Sequence, residues 1–483
     1  MKTFADLFPD AIAPLAGLEV KGITADSRRV RPGFIFIAIP GVKADGMGYA
    51  KLAAEAGAVA IVGEAATAAD LGNVPYFHVR DARLALAFAA ARMYPEQPEK
   101  IVAVTGTSGK SSVADFTRQL FSAIGRSAAS LGTLGVVSDD EASYGALTTP
   151  DPVSLHETLS RLAKNGVKRL AMEASSHGIE QRRLEAVRLA GAAFTNLGRD
   201  HLDYHGTMEA YAEAKLRLFE ELLAEDAFAV VNADGAYADV FLPRIRKRGL
   251  NVITTGEQGR DIRLLSAEVR QFNQHLGIDA FGKVFEVDFP LLGNFQVENA
   301  LVAAACVIAV EGRELTDRVI AALGGLVGVC GRLEKVDEIN GAMCIVDYSH
   351  KPDALAHVLD AARPFTSGRL FCVFGCGGDR DKGKRPIMGR IAVEKADVVI
   401  VTDDNPRSEK PAAIRAEIMA AAPGAREIGD RALAIRTAVS ELQPGDVLIV
   451  AGKGHETGQI IGDTVLPFSD HEEIRAAVAE LKQ

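Results

Sequence analysis

Lys110 and Ser111, preceded by the turn Gly106-Thr-Ser-Gly109, are spaced for chemistry on a phosphate. A lysine that follows a glycine-rich turn can reach the β- and γ-phosphates of a nucleoside triphosphate, and the hydroxyl beside it can hold Mg²⁺. Ile101-Val-Ala-Val104 reads as a buried strand, and the spacing of Phe116, Leu120 and Ile124 reads as a helix opened by Lys110-Ser111-Ser112. Strand, glycine turn and helix N-terminus together form an anion site, because backbone N–H groups and the helix dipole face the loop. The pattern departs from G-x-x-x-x-G-K-[ST] at Val104, where glycine is usual. A nucleoside triphosphate is the ligand expected; a glycine turn without ligand is the plainer alternative.

Further along, Arg169-Leu-Ala-Met-Glu-Ala-Ser-Ser-His177 is a strand that ends in a carboxylate and a polar cluster. A glutamate just inside an apolar run is costly to bury unless it is paired or bound to a cation. Glu173 is therefore either a Mg²⁺ ligand or a satisfied structural carboxylate. Phe194-Thr-Asn-Leu-Gly-Arg-Asp-His-Leu-Asp-Tyr-His-Gly206 leads from a strand into a loop with His201, Asp203 and His205, and spacing alone singles out none of the three. Gly132-Thr-Leu-Gly135 and Leu147-Thr-Thr-Pro-Asp-Pro152 present hydroxyls beside expected strand ends, where ligands of open parallel sheets collect. The loops Gly375–Arg385, Asp403–Arg407 and Gly452–Glu456 share that placement. Arginine beside carboxylates suits a zwitterion such as an amino acid, because a guanidinium grips a carboxylate through two N–H bonds. Gly375-x-Gly-x-x-Asp is a poor dinucleotide fingerprint, since Asp379 stands where the last glycine would be.

These groups need sheets to carry them. Residues 1–95 alternate short apolar strands, Phe34–Ala38 and Ala58–Val62, with alanine-rich helices, as a small N-terminal α/β domain would. The loops Ile23–Gly33 and Gly41–Gly46 could hold a nucleotide diphosphate or be ordinary turns. Tyr94-Pro-Glu-Gln-Pro98 marks the first boundary. Residues 96–329 carry the P-loop on a parallel sheet. They include an amphipathic helix over Met208–Leu223, on which Lys215 reads as a solvated lysine. Strand and turn follow at Ala227–Gly235, and a long alanine-rich helix follows Leu292–Ala300. In residues 330–483 the strands Leu370–Phe374, Val398–Thr402 and Val447–Ala451 alternate with helices, which is a doubly wound, Rossmann-like pattern. A three-domain α/β protein is the expected architecture.

Composition narrows the partners. The 483 residues suit about three domains, and 48% hydrophobic with 24% charged residues describes a globular chain with ample core. A net charge of −10 argues against nucleic acid as a partner. Five cysteines give no disulfide framework, and nothing near Cys372 and Cys376 completes a zinc site. Reduced thiols and a cytoplasmic location are expected. No apolar run approaches about 20 residues, and Met1-Lys-Thr-Phe-Ala-Asp6 lacks a signal-peptide core, so neither a membrane span nor export is expected.

Over nearly its full length the chain resembles the Mur ligases, ATP-dependent amide-forming enzymes of peptidoglycan assembly. The resemblance rests on Thr105–Ser111, Thr148-Thr-Pro-Asp151, Glu173-Ala-Ser-Ser-His177, Asn196–His201, Gly293–Asn299, Gly331-Arg-Leu-Glu334 and Asp347-Tyr-Ser-His-Lys-Pro-Asp353. Asp200–Gly206, the Gly375–Arg385 loop and Asp404-Asn-Pro-Arg407 are similar to the members that add meso-diaminopimelate. The far carboxylate of diaminopimelate gives Arg407 a partner that lysine lacks.

The resemblance implies ATP as co-substrate, held by Gly106, Thr107, Ser108, Gly109, Lys110, Ser111, Ser112, Asn299, Arg332, Asp347 and His350. It implies Mg²⁺ held by Ser111, Glu173, His201 and Lys215, the last N-carboxylated by CO₂ into a carbamate, with Lys110, Lys215, His201 and Glu173 as the catalytic set. Ser27, Thr148, Thr149, Ser175, Gln181 and Arg183 would bind the UDP-muramoyl dipeptide. Arg380, Asp404, Asn405, Pro406, Arg407, Gly452 and Glu456 would bind diaminopimelate. The implied reaction passes through an acyl phosphate in a monomeric enzyme whose C-terminal domain closes to exclude water. The chain departs from the family pattern at Ser108, Ser111-Ser112, Cys330, Ser349, Lys351 and Gly46-Met-Gly-Tyr49. A lysine-adding relative, a folylpolyglutamate synthetase and a non-ligating P-loop regulator are the alternatives. Arg407 and the Arg380 loop weigh against the first two; Glu173, His201 and the second-substrate edge weigh against the third.

Overall fold

A computed structural model describes residues 2–482 except 42–44, 67–70, 139–141 and 144–146. The middle of the Gly41–Gly46 loop thus lies outside the described residues. The chain forms two compact units: Met1–Arg263 with Ala280–Gly282 and Asn299–Ala322, and Leu264–Asp279 with Lys283–Glu298 and Leu323–Gln483.

In the first unit the strand Lys100–Thr105 is central, and Ile101 through Val104 are fully buried. It pairs in parallel with Arg169–Glu173 on one side and Leu189–Phe194 on the other. Ala128–Gly132 lies beyond the first neighbour, and Phe228–Asn232 then Asn251–Gly256 lie beyond the second, all parallel. Gly135–Ser138 turns back antiparallel on Ala128–Gly132. The chain leaves Lys100–Thr105 toward one side and resumes on the other, so a crevice opens at its carboxyl end. Helix Lys110–Ala123 buries Val113, Phe116 and Leu120, the apolar stripe of its 3.6-residue repeat.

The N-terminal strands Gly22–Thr24, Phe34–Ala38, Ala60–Gly63 and Tyr76–His78 form a separate parallel sheet in that order. Its third strand starts two residues later than expected, because the Ala58 amide is still donating to Ala53 at the end of helix Ala50–Glu55. The expected helix at 208–223 is α-helical over Met208–Arg217 and widens into a π-turn over Leu218–Leu222. Helix Asn294–Glu311 is, among the described residues, the one long and apolar enough to cross a membrane, and 67% of it is buried within the protein.

The second unit carries a six-stranded sheet, ordered Glu334–Ile339, Ala342–Asp347, Val447–Ala451, Leu370–Phe374, Val398–Val401 and Arg426–Glu427. All neighbours are parallel except the first pair. Ile345, Cys372, Phe374, Val401 and Ile449 face one core, whereas Val346, Phe371, Val373, Ile400 and Val450 face another. Alternate residues of the same strands are buried on both faces, which is why these strands read as unbroken apolar runs. The antiparallel first pair was not expected. Its turn is Asn340-Gly341 with φ of 51° and 75°, the left-handed pair that a two-residue hairpin requires.

Candidate active site

The glycine turn after Lys100–Thr105 is fastened from the neighbouring strand. Asn196, which follows Leu189–Phe194, accepts from Thr107 N at 2.9 Å through its carbonyl and from Ser108 N at 3.1 Å through its side chain. Thr195 Oγ1 donates to Ser108 O at 2.6 Å. Gly109 has φ 84°, and the side-chain oxygen of Asn299 fills the space a Cβ would need. Gly109 also serves as N-cap without supplying a side-chain acceptor, so no cap competes for the first amides of helix Lys110–Ala123. Lys110 Nζ lies over the turn, donating to Gly106 O at 3.0 Å and Thr107 O at 2.9 Å.

Glu173 ends its strand beside this turn and is 2% exposed. Its carboxylate accepts from Ser111 Oγ at 2.8 Å, Thr133 N at 2.8 Å and Thr133 Oγ1 at 3.3 Å. Burial is thus offset by three donors. Ser111 and Glu173 offer oxygen atoms at one spot beside an anion-binding turn, and an all-oxygen donor set suits Mg²⁺. Thr148 Oγ1 lies 3.1 Å from Thr133 Oγ1. Thr149 Oγ1 donates to Glu173 O at 3.0 Å and lies 3.0 Å from Ser175 Oγ. Arg183 donates to Thr149 O and to Gln181 Oε1, both at 2.7 Å. Thr148, Thr149, Ser175, Gln181 and Arg183 are thereby one connected set. Ser27 belongs to the other sheet, on the turn after Gly22–Thr24, beside the Asp26–Arg28 pair.

Lys215 corrects the reading of a solvated lysine. It is 1% exposed, its ammonium donates to Gly106 O at 2.8 Å, and it lies 4.6 Å from the Tyr211 ring centre. Burial, then the charge of Lys110, pushes its pKa well below that of a free lysine, while Asp200 acts the other way. A buried cation four residues from Tyr211 is set by packing from other segments, which helix periodicity does not report. His201 adopts φ 53°, and its ring meets His177 edge-on at 4.9 Å and Tyr211 at 6.2 Å. His205 bonds Ser176 Oγ at 2.9 Å, and burial with the neighbouring histidines lowers its pKa to about 4.

In the second unit Asp347 is buried and accepts from Leu333 N at 2.7 Å and Ser349 N at 2.8 Å, with the Ser349 hydroxyl also bonded to it. Burial raises its pKa. Arg332 stacks on Tyr348 at 5.1 Å, and Tyr348 meets His350 edge-on at 4.7 Å. The carboxyl ends of Leu370–Phe374, Val398–Val401 and Val447–Ala451 bring three loops together. Asn405 Nδ2 donates to Glu456 at 2.9 Å, and Arg407 Nη1 donates to Gly378 O at 2.9 Å. Gly452 has φ 119°, and a Cβ there would lie 2.6 Å from the Asp404 carboxylate. Pro406 follows Asn405 within the same loop, whereas Arg380 is exposed and donates to Asp379 O at 3.0 Å.

Thr133 confirms the hydroxyl expected from Gly132-Thr-Leu-Gly135, whereas three residues central to this geometry carry no role in the sequence pattern: Thr195, Asn196 and Lys453. Lys453 is fully buried, donating to Asn405 Oδ1 at 2.9 Å and Glu456 at 3.2 Å. Its signal was a lysine between two glycines at a strand end; Asn196 lay inside a recognised motif without a role.

Sequence models of the Mur ligase middle domain, the Mur ligase glutamate ligase domain and the Mur ligase family catalytic domain match residues 104–307, 331–454 and 19–94. The chain is similar to UDP-N-acetylmuramoyl-L-alanyl-D-glutamate–2,6-diaminopimelate ligases. That of Agrobacterium fabrum is 54% identical over 480 residues, covering 99% of this chain and 97% of the relative. That of Brucella melitensis is 56% identical over 463 residues, covering 96% and 94%. A solved structure of such a ligase superposes with a TM-score of 0.76 at 33% identity, covering 100% of this chain and 99% of the other. A MurF ligase from Thermotoga maritima, solved with ADP, shares the fold with a TM-score of 0.61 at 20% identity, covering 96% and 97%.

Proposed function

The chain belongs to the Mur ligase family, and on that premise we propose that it joins meso-2,6-diaminopimelate to UDP-N-acetylmuramoyl-L-alanyl-D-glutamate at the expense of ATP. The observation that carries this reading is identity above 50% to ligases of that name over almost the whole chain. Residues 1–95, 96–329 and 330–483 act as UDP-substrate, ATP and amino-acid domains in a cytoplasmic monomer.

The D-glutamate side-chain carboxylate attacks the γ-phosphorus of ATP, ADP leaves, and an acyl phosphate forms. An amine of diaminopimelate then attacks the acyl carbon, and phosphate departs. Gly106 to Ser112 cradle the phosphates, Lys110 offsets charge on the phosphoryl oxygens, and Asn299, Arg332, Asp347 and His350 hold the rest of the nucleotide. Ser111, Glu173, His201 and Lys215 as its carbamate would hold Mg²⁺, which supplies further charge neutralisation when bound. A buried amine with a depressed pKa keeps the lone pair that CO₂ requires. Ser27, Thr148, Thr149, Ser175, Gln181 and Arg183 bind the UDP-muramoyl dipeptide. Arg380, Asp404, Asn405, Pro406, Arg407, Gly452 and Glu456 bind the amino acid.

The test is phosphate release from ATP with UDP-N-acetylmuramoyl-L-alanyl-D-glutamate present, comparing meso-diaminopimelate with L-lysine. Turnover with the first and little with the second is expected. Equal turnover would discard the selectivity, and none with either would discard the substrate assignment.

A further inference from the structure

Three donor atoms of different kinds converge at the start of the second unit's sheet. Cys330 Sγ lies 4.0 Å from His471 Nε2, and His471 Nε2 lies 2.6 Å from Glu334 Oε2. All three ligand atoms fall within 4.8 Å of one another. From this convergence we propose that Cys330, Glu334 and His471 form a zinc-type metal site, distinct from any Mg²⁺ bound with ATP.

The donor set selects the metal. Thiolate, imidazole and carboxylate are the ligands of tetrahedral Zn²⁺, and three protein ligands leave the fourth position to water. Mg²⁺ and Ca²⁺ take oxygen ligands and have no use for the thiolate. With Zn–S of about 2.3 Å and Zn–N of about 2.0 Å, sulfur and nitrogen need to approach by only a few tenths of an ångström. Imidazole and carboxylate must part by about 0.7 Å, as the metal replaces the hydrogen bond between them.

Two of the three ligands are already held in place, Glu334 through its carboxylate and His471 through the residue before it. Glu334 accepts from Gly331 N at 2.7 Å. His471 follows Asp470, which forms a fully buried two-bonded pair with Arg431 at 2.7 Å. The side chains of His471 and Glu334 keep 10% and 17% exposure, so the site is sheltered yet reachable. Among the five cysteines Cys330 is the one not fully buried. Burial pushes the thiols of Cys344, Cys372 and Cys376 up to about 12 and that of Cys306 higher still, so they do not compete for metal near neutral pH. Bound metal would tie residues 330–334, with Arg332 among them, to the C-terminal helix Asp470–Leu481.

The test uses the full chain freed of metal by chelation. Co²⁺ replaces Zn²⁺ as a coloured probe, because thiolate-to-cobalt charge transfer reports a sulfur ligand. One such site per chain is expected, lost in Cys330→Ser and weakened by more than about tenfold in His471→Gln. Zn²⁺ alone should protect Cys330 from a thiol reagent in the native protein, and excess Mg²⁺ should not. Cobalt absorption without charge transfer, charge transfer that survives Cys330→Ser, or no protection by Zn²⁺ would each overturn the site. Thermal unfolding of Cys330→Ser without metal separates a lost ligand from a lost fold, since serine keeps the shape of cysteine.

Discussion

The ammonium of Lys215 donates to the carbonyl of Gly106 at 2.8 Å across 109 positions of the chain. One contact thereby joins the phosphate-binding turn to the last turn of helix Met208–Arg217, from a lysine with almost no access to solvent. Burial of the cation favours its neutral amine, the form able to take up CO₂. Ligase activity should fall when dissolved CO₂ is removed and return on adding bicarbonate. Lys215→Ala should be inactive with or without bicarbonate. Isotope-labelled bicarbonate should give a carbamate resonance in the wild type alone; its absence there would remove the modification from the proposed site.

Glu173 should matter through its charge rather than its shape. Glu173→Gln keeps an acceptor for Ser111 Oγ and Thr133 N, so thermal stability should change little. Loss of the anion should cut kcat/KM by on the order of 10²-fold and raise the Mg²⁺ concentration needed for half-maximal rate. Full activity at unchanged Mg²⁺ demand would make Glu173 a structural carboxylate.

Arg407 has φ 51°, and its backbone is clamped by Arg407 N to Ile460 O at 3.0 Å and Gly462 N to Arg407 O at 2.8 Å. The guanidinium is therefore presented from a fixed backbone. Arg407→Met should raise KM for meso-diaminopimelate by about 10–100-fold, the worth of a charged hydrogen-bonded pair. The slow turnover of L-lysine should stay as it was. Steady-state kinetics with both amino acids decide the matter, and parallel losses would point to a role other than gripping the far carboxylate.

His156 supplies a pH dependence of stability. It is fully buried, Nε2 lies 3.2 Å from Glu185 O, and burial lowers its pKa from 6.5 to about 4. Above 6.5 the ring is neutral in both folded and unfolded chains and stability is unaffected. As pH falls from 6.5 to 4 the unfolded chain takes up the proton first, so stability declines by on the order of 3 kcal/mol. Urea unfolding at neutral and mildly acid pH should show this decline, and His156→Gln should flatten its share. An identical slope in the variant would assign the loss to other groups.

Much of the site was legible because its signals are local. Strand, glycine turn, lysine and helix start are contiguous from Ile101 to Ser112, and each follows from backbone conformation within a few residues. Glu173 stood out as a carboxylate inside an apolar run, and the loops after the strands of the second unit stood out by charge and glycine. The Asn340-Gly341 hairpin is equally local, since an Asn-Gly pair between two strands is itself a hairpin signal.

By itself the sequence determined the α/β class, the phosphate-binding turn, the family and the chemical kinds of group at each strand end. These depend on residue type and short spacing, which periodicity and turn chemistry report directly. Only the tertiary structure decided that Lys215 is buried against Gly106, that Asn196 fastens the glycine turn, and that Cys330, Glu334 and His471 meet. Burial and convergence are sums over contacts from segments far apart in the chain, and no local spacing carries that sum.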